Sequence, residues 1–387
     1  MSNRTIATLF CGSFLALSAA NLAATPPPRV FGEGSVLANI PPEAAYCAGQ
    51  PDCNGGYPEG IALVGDLAYV AGPATFGTIG KGPSVVTVIQ RSTGRRVAEI
   101  PIEGEDPSSE HALSGLTVDG NGNVYALSTQ LGVVRIERHG QRYSQSIYAT
   151  ALPYLPICTN GGPRPCSPKL LDLPPISNEM TFDEHGNLYI TDSTQATIFR
   201  VPPGGGTPEP WFQSPLLAGN PGAPLPFGAN GIKMSPDRHW VYVIESFDPT
   251  DVTLGHLYRI RAVAHPEPGD MELVASFPPV IGPDANPLPV VPDSLAFGKS
   301  GRIYVTLANI SQIAVLDPEG DEITRIGGPA GSAIPFDGPA TMAFDDPTRS
   351  LLVVNHAIFG PPTDYAVLRV FVGDKGDPYP NALHPGH

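Results

Sequence analysis

The sequence predicts an all-β fold: a six-bladed β-propeller with four-stranded antiparallel blades around a central channel. A phrase of a short apolar strand, a turn and a second apolar strand recurs six times, at intervals of 47 to 64 residues. Propellers repeat at roughly 40–50 residues per blade, so the longer intervals leave room for loops. Gly and Pro number 43 and 46 in the 387 residues, while charged residues make up only 15%. Strands joined by many turns have this composition, and long helices do not.

The repeated phrase is clearest between Asn178 and Asp192, where two strands flank an Asp-Glu-His-Gly-Asn turn. Apolar and polar residues alternate on both sides of the turn, which predicts a β-hairpin. The six copies begin, in chain order, at Glu59, Ser114, Asn178, Asn230, Asp293 and Ala340. We expect each of these residues to start the innermost strand of a blade and to face the channel.

Four of the six channel positions carry oxygen ligands, which are the two carboxylates Glu59 and Asp293 and the two amides Asn178 and Asn230. Such a set suits a hard cation such as Ca²⁺. Asn and Asp are also common where strands and turns begin. The metal prediction therefore rests on four donors that each stand at the first position of a repeat.

The two ends of the chain predict export and ring closure. Residues 1–24 have the pattern of a signal peptide, with Arg4, an apolar stretch over 6–17 and small residues before position 25. This predicts a secreted or periplasmic protein with a single propeller domain over 25–373 and a polar tail over 374–387. An N-terminal strand near 29–38 should pair with 366–372 and close the ring. No other stretch is apolar enough to span a bilayer.

Four cysteines remain after the predicted signal peptide, in two close pairs. An exported, oxidising setting favours disulfides, and four cysteines allow three connectivities. We expect Cys47–Cys53 and Cys158–Cys166, each closing a small loop. A zinc site is the alternative, although neither spacing resembles a zinc knuckle.

Several function classes are disfavoured by the sequence. The formal charge is −15, and without a basic stripe to neutralise phosphates nucleic acid is not an expected partner. No Gly-x-Ser-x-Gly elbow for a serine hydrolase is present, and no Gly-rich phosphate loop opens a helix.

The ordered set Glu, Asn, Asn, Asp, with phrases such as Asn230-Gly-Ile-Lys-Met-Ser-Pro-Asp237, resembles a known superfamily over roughly residues 59–356. It is similar to the six-bladed propeller hydrolases of the gluconolactonase/senescence-marker protein (regucalcin), diisopropylfluorophosphatase and paraoxonase group. The resemblance implies that Glu59, Asn178, Asn230 and Asp293 hold a catalytic Ca²⁺, replaceable by Mn²⁺, Mg²⁺ or Zn²⁺. It also implies that Asp293 acts either as general base or as nucleophile, and the sequence leaves both roles open.

Departures from the family pattern narrow the predicted substrate. Ile176 stands where sugar-lactone members have Arg, Ser114 where paraoxonases have His, and Ala340 where phosphotriesterase-type members have His. Together with Phe227 on a loop, these residues predict an apolar mouth that suits an apolar lactone or ester. We also expect Ser114, Ile176, Phe227 and His111 to contact the substrate and His356 to move protons.

The sequence therefore predicts a calcium-dependent lactonase- or esterase-type hydrolase that acts on a small molecule. Two alternatives stay open. One is a non-catalytic propeller that binds a ligand or a protein. The other is a lyase or condensing enzyme of the strictosidine-synthase type, although that group generally lacks a complete metal set.

Overall fold

The computed structural model describes residues 28–41, 56–162, 164–327, 335–358 and 360–377. Within them, six four-stranded antiparallel sheets succeed one another along the chain, and a two-stranded hairpin lies between the fourth and fifth. The predicted fold, a six-bladed β-propeller with four-stranded blades, is confirmed. The predicted signal peptide over 1–24 lies outside the described residues.

The strands are numbered in chain order, and each blade runs from its innermost strand outward. The N-terminal strand is β1 (Gly34–Asn39). Blade one contains β2 (Ile61–Val64), β3 (Leu67–Gly72), β4 (Val85–Gln90) and β5 (Arg96–Pro101). Blade two contains β6 (Leu113–Val118), β7 (Val124–Ser128), β8 (Gly132–His139) and β9 (Arg142–Ala149). Blade three contains β10 (Ser177–Phe182), β11 (Leu188–Asp192), β12 (Thr197–Val201) and β13 (Glu209–Gln213).

The second half of the ring follows the same order. Blade four contains β14 (Ala229–Met234), β15 (Trp240–Glu245), β16 (Gly255–Arg261) and β17 (Met271–Phe277). The small hairpin is β18 (Val280–Ile281) with β19 (Pro287–Leu288). Blade five contains β20 (Pro292–Phe297), β21 (Ile303–Leu307), β22 (Gln312–Leu316) and β23 (Glu322–Ile326). Blade six contains β24 (Pro339–Asp345), β25 (Ser350–Asn355) and β26 (Ala366–Phe371).

Blade six is completed by the N-terminal strand. β1 pairs antiparallel with β26, so Gly34 lies opposite Val370 and Asn39 opposite Ala366. This is the predicted closure, and it covers the outer edge of β26, so that the last blade also has four strands. The Thr341 hydroxyl also donates to the Glu59 carbonyl, which joins the inner strands of blades six and one.

A β-bulge at the start of the inner strand recurs in blades two to six. In each blade the pairing register shifts there, so that two inner-strand residues oppose one residue of the next strand. The first residue of each bulge is the predicted channel position. The second is usually small because neighbouring inner strands approach closely. A Cβ on Gly231, for example, would lie 2.5 Å from the Asp293 carbonyl oxygen.

In blades two and three, the turn between the first two strands is built by an aspartate. The Asp183 carboxylate accepts hydrogen bonds from the backbone of His185, from the backbone and side chain of Asn187, and from the Tyr189 hydroxyl. Asp119 makes the equivalent set of contacts in blade two. Apolar side chains then fill the spaces between adjacent blades, as Leu127 of blade two and Met180 of blade three do.

Helical structure in the described residues consists of single 3₁₀ turns at Pro215–Leu217, Pro268–Asp270, Ala308–Ile310 and Pro362–Asp364. None of these helices is long and apolar enough to cross a membrane. The predicted C-terminal tail begins with a paired segment, because Gly376 forms an antiparallel bridge with Gly298. The tail beyond residue 377 lies outside the described residues.

Candidate metal centre in the central channel

The two carboxylates that the sequence predicts as ligands are delivered by the same local turn. Tyr57 (φ 48°) and Val291 (φ 52°) adopt left-handed backbone conformations, and each is followed by proline and then by the acid, Glu59 or Asp293. A β-branched residue such as Val291 is rarely found with positive φ, and strained backbone of this kind clusters at functional sites. The turn therefore fixes where the carboxylate enters the channel.

Blade six contains the same turn without the ligand. Gly338 has φ 53° and is followed by Pro339 and Ala340. Because Ala340 has no donor atom, this position of the ring can contribute only a methyl group. The shared backbone makes blade six an internal reference for blades one and five.

The carboxylates from different blades interact through their charges. Burial raises the pKa of Glu59 well above its usual value, and the negative charges of Asp293 and Glu179 raise it further. Burial and the Glu179 charge also raise the pKa of Asp293 to about 7, although the Asn230 amide partly offsets them. Blades one, three and five thus bring three carboxyl groups together, and ionisation of Glu59 and Asp293 is unfavourable there without a cation.

The amide of Asn230 has an acceptor without a partner. Its side chain is buried, and its Nδ2 donates to the Ser246 hydroxyl at 2.9 Å. Ser246 in turn donates to the Pro292 carbonyl at 2.9 Å, which fixes the orientation of the amide. The Asn230 Oδ1 atom is buried and has no hydrogen-bond partner among the described residues. A buried, oriented and unpaired oxygen is what a cation ligand requires.

Asn178, the second amide, is 8% exposed and begins the bulge of blade three. The Asn178 carboxamide makes no hydrogen bond with another group in the described part of the chain, so it is available to a ligand. The four predicted donors therefore fit a hard cation, since all are oxygens and Asn230 Oδ1 has no other partner in the described part of the chain. Their assignment as ligands remains a prediction.

A buried ion pair that the sequence analysis missed lies beside these donors. The Glu179 carboxylate accepts from the Lys233 ammonium, from the Ile232 amide at 2.9 Å and from the Ser294 hydroxyl at 3.1 Å. The side chains of Lys233 and Glu179 are 8% and 3% exposed. One signal was available, because the residue after the predicted channel position is Gly, Ser or Thr in the other five blades and Glu only in blade three.

His356 lies next to Glu59. Its Nδ1 atom is 3.1 Å from the Pro58 carbonyl oxygen and 3.8 Å from Glu59 Oε2. Since a carbonyl only accepts hydrogen bonds, Nδ1 carries the proton and Nε2 is the basic nitrogen. Burial lowers the pKa of His356 to about 4, so the imidazole is neutral at pH 7.

The predicted substrate contacts lie in different surroundings. Ile176 and Phe227 are half-buried and close to the starts of β10 and β14. Ser114 is buried and donates to the Ser177 carbonyl at 3.1 Å, which joins blades two and three. His111 is 1% exposed, and its ring nitrogens lie 3.0 and 2.9 Å from the carbonyl oxygens of Ser109 and Gly82. The backbone thus holds the His111 ring, and a role in binding substrate would require these contacts to break.

Of the two predicted disulfides, Cys158–Cys166 is present. It staples the loop that leads to β10 and Asn178. Cys47 and Cys53 lie outside the described residues, so their pairing stays a prediction.

Comparison with known proteins supports the resemblance that the sequence predicts. The family model described as SMP-30/Gluconolactonase/LRE-like region matches residues 227–355, which include Asn230 and Asp293. No curated protein matches the sequence. The predicted resemblance to this superfamily is confirmed by that match and by the six-bladed fold.

Three solved structures share the fold. A calcium-binding protein, regucalcin from Agrobacterium tumefaciens str. C58, is 17% identical, with a TM-score of 0.56 over 89% of this chain and 95% of that chain. A luciferin-regenerating enzyme is 14% identical, with a TM-score of 0.54 over 82% and 92%. An auxiliary nutrient binding protein from Bacteroides thetaiotaomicron VPI-5482 is 10% identical, with a TM-score of 0.54 over 87% and 75%. At these identities the similarity establishes the propeller alone, and function must be argued from the site.

Proposed function

We propose, from the resemblance of this chain to the SMP-30/gluconolactonase/LRE-like family, that it is a Ca²⁺-dependent hydrolase that opens a lactone or cleaves an ester. The observation that carries the proposal is the set of buried oxygens in the channel. Burial and neighbouring carboxylates raise the pKa of both Glu59 and Asp293, and Asn230 Oδ1 has no partner among the described residues. A cation between these atoms would remove both costs.

Glu59, Asn178, Asn230 and Asp293 would hold the ion. Two carboxylates and two neutral amides leave a divalent ion with Lewis acidity, so that when bound it polarises a substrate carbonyl. All four donors are hard oxygens, which favours Ca²⁺, and Mn²⁺, Mg²⁺ or Zn²⁺ are possible replacements.

The protein's own groups would supply the remaining chemistry. Asp293 accepts a proton from the attacking water or attacks the carbonyl directly. The neutral His356, with its Nδ1 proton held by the Pro58 carbonyl, presents Nε2 as a proton acceptor. Ser246 orients the Asn230 amide through a 2.9 Å hydrogen bond, so it is a positioning residue.

The substrate proposal follows from what lies around the donors. Ile176 and Phe227 contribute apolar side chains and Ser114 contributes only a small hydroxyl that is already bonded to the Ser177 carbonyl. Ile176 and Phe227 cannot pair with the hydroxyls of a sugar acid, and Ser114 already donates its only proton, so an apolar lactone or ester is the better match. Phe76, which is 56% exposed on the insertion after β3, adds apolar surface to the protein.

We also propose that the protein works outside the cytoplasm. The pattern of residues 1–24 is that of a signal peptide, and the Cys158–Cys166 disulfide is compatible with an oxidising compartment. Secretion or periplasmic export would fit both features.

The test is hydrolysis of a panel of aryl esters and γ-lactones by protein stripped with EDTA, before and after Ca²⁺ is restored. Activity should disappear with chelation and return with Ca²⁺. Asp293→Asn should lower kcat/KM by about 10²–10⁴-fold, the usual contribution of a positioned acid–base group. Asp284→Asn, an exposed acid in the loop before the same strand, is the matched control.

Full hydrolysis by Asp293→Asn would contradict the proposal. Purified protein that neither contains nor binds a divalent ion in the channel would instead indicate a non-catalytic binding propeller. His356→Gln separates the role of the imidazole, because a proton acceptor affects kcat while leaving KM nearly unchanged.

A further inference from the structure

A second group of candidate metal ligands lies in blade four, away from the inner-strand positions. Glu245 ends β15, His256 lies opposite it in the register of β16, and Asp248 is in the connecting turn. One donor atom from each residue lies within 4.8 Å of the other two. His256 Nδ1 is 2.9 Å from Glu245 Oε2 and 3.7 Å from Asp248 Oδ2.

An unpaired oxygen of Glu245 supports a ligand at this place independently. The Glu245 side chain is 0% exposed, and its Oε1 atom has no hydrogen-bond partner among the described residues. Among the described residues the ion-pair partner of Glu245 is His256, which contacts only Oε2. A fully buried carboxylate with one bare oxygen is costly, and a cation that Glu245 binds through both carboxylate oxygens would satisfy Oε1.

The surroundings hold the three groups in place for such a ligand. Asp248 Oδ1 accepts from the amides of Thr250 and Asp251 and from the Thr250 hydroxyl, which leaves Oδ2 turned towards His256. The Asp248 carbonyl accepts from the Asn220 side chain at 2.7 Å. Outer contacts of this kind orient metal ligands in known sites.

A simple hydrogen bond from His256 to Glu245 explains less of this arrangement. It accounts for Nδ1 and Oε2, but it leaves Oε1 bare and gives Asp248 Oδ2 no function. In a tetrahedral site with bonds near 2.0–2.2 Å, neighbouring ligand atoms are about 3.3–3.6 Å apart. The 2.9 and 3.7 Å separations lie on either side of that range.

We propose that Glu245, Asp248 and His256 form a second cation site, which is distinct from the channel centre and takes a borderline transition metal such as Zn²⁺. One imidazole nitrogen with two carboxylates suits such ions better than Ca²⁺, which takes oxygen ligands. The same nitrogen must donate its lone pair to the ion, so its proton has to leave Nδ1. A neutral imidazole does this by moving to the Nε2–H tautomer without net proton release, whereas an imidazolium releases one proton to solvent. The site links the β15–β16 hairpin to the loop that carries Asn220.

The experiment is isothermal titration of EDTA-stripped, full-length protein with Zn²⁺, paired with metal analysis after dialysis. Wild type should bind one equivalent of Zn²⁺ at this site. His256→Ala and Asp248→Asn should each lose this equivalent or bind it with a Kd at least tenfold higher. Asp251→Asn, an exposed acid in the same turn, should bind as wild type does. Asp293→Asn, which alters the channel centre, should keep this equivalent, so the two sites fail separately.

Co²⁺ supplies a readout that does not depend on activity. The visible spectrum of bound Co²⁺ should show nitrogen ligation in wild type and in Asp293→Asn, and that signature should vanish in His256→Ala. Circular dichroism establishes that the variants are folded. If His256→Ala does not fold, Asp248→Asn still tests the site, because it retains the buried Glu245–His256 contact. Unchanged Zn²⁺ stoichiometry in both ligand variants, or no Zn²⁺ bound by wild type, would overturn the proposal.

Discussion

Two regions of the channel satisfy buried carboxylates in different ways. Glu179 is paired with the chain's own cation, Lys233, and also accepts from Ile232 N and the Ser294 hydroxyl. Glu59 and Asp293 have no ammonium or guanidinium partner among the recorded ion pairs of the described residues, and burial raises the pKa of both. This difference indicates where a bound ion is needed. In the first region a lysine compensates the buried negative charge, and in the second no ammonium or guanidinium of the described residues does so.

The largest expected effect comes from removing the cation of the first region, the Lys233 ammonium. Lys233→Met would leave Glu179 buried without its partner, and loss of one member of a buried pair costs about 3–5 kcal/mol. Urea unfolding monitored by circular dichroism measures the loss. Lys299→Met, which removes an exposed ammonium, should change the free energy of unfolding by less than about 0.5 kcal/mol.

The double variant Glu179→Gln/Lys233→Met sharpens the interpretation. It removes both charges, so it should recover much of the stability that Lys233→Met loses. A loss below about 1 kcal/mol in the single variant would mean that Glu179 does not depend on Lys233.

The opposite result is expected in the second region. At pH 8 without metal, Asp293→Asn removes a charge that folding has to bury beside Glu59 and Glu179. The pKa of Asp293 is raised to about 7, so the variant should be more stable than wild type by up to about 4 kcal/mol. Added Ca²⁺ should then stabilise wild type and have little effect on the variant. Equal stability of the two metal-free proteins would contradict an uncompensated Asp293.

The sequence was sufficient for the ring and for the first position of each bulge. Strand alternation and the repeat identify the six inner strands, and the shared position in the repeat predicts that Glu59 and Asp293 lie where such strands begin. The Glu179–Lys233 pair was harder to find. It depends on the second bulge residue of blade three meeting a strand of blade four, which no local pattern encodes.

The blade-four cluster was missed for a related reason. His256 and Asp248 are single residues in a strand and a turn, and neither belongs to a periodic pattern that would mark it in the sequence. Only the cross-strand register, with Glu245 opposite His256, and the fold of the turn bring the three together. Tertiary pairing of this kind is not readable from spacing.

The smallest expected effect is the pH dependence of Ca²⁺ binding in the channel. Without metal, a carboxyl with raised pKa stabilises the fold most below its unfolded pKa, near 4, and that contribution is lost as pH rises through about 7. Ca²⁺ requires the ionised form, so protons and Ca²⁺ compete for Asp293. Below pH 7 the Kd should therefore rise by about tenfold for each pH unit, equivalent to about 1.4 kcal/mol, and it should level off above pH 8. Calorimetric titrations in buffers of different ionisation enthalpy would also count the protons released. A Kd that is constant between pH 5.5 and 8 would mean that the ion binds without displacing a proton, and the channel carboxylates would then not be its ligands.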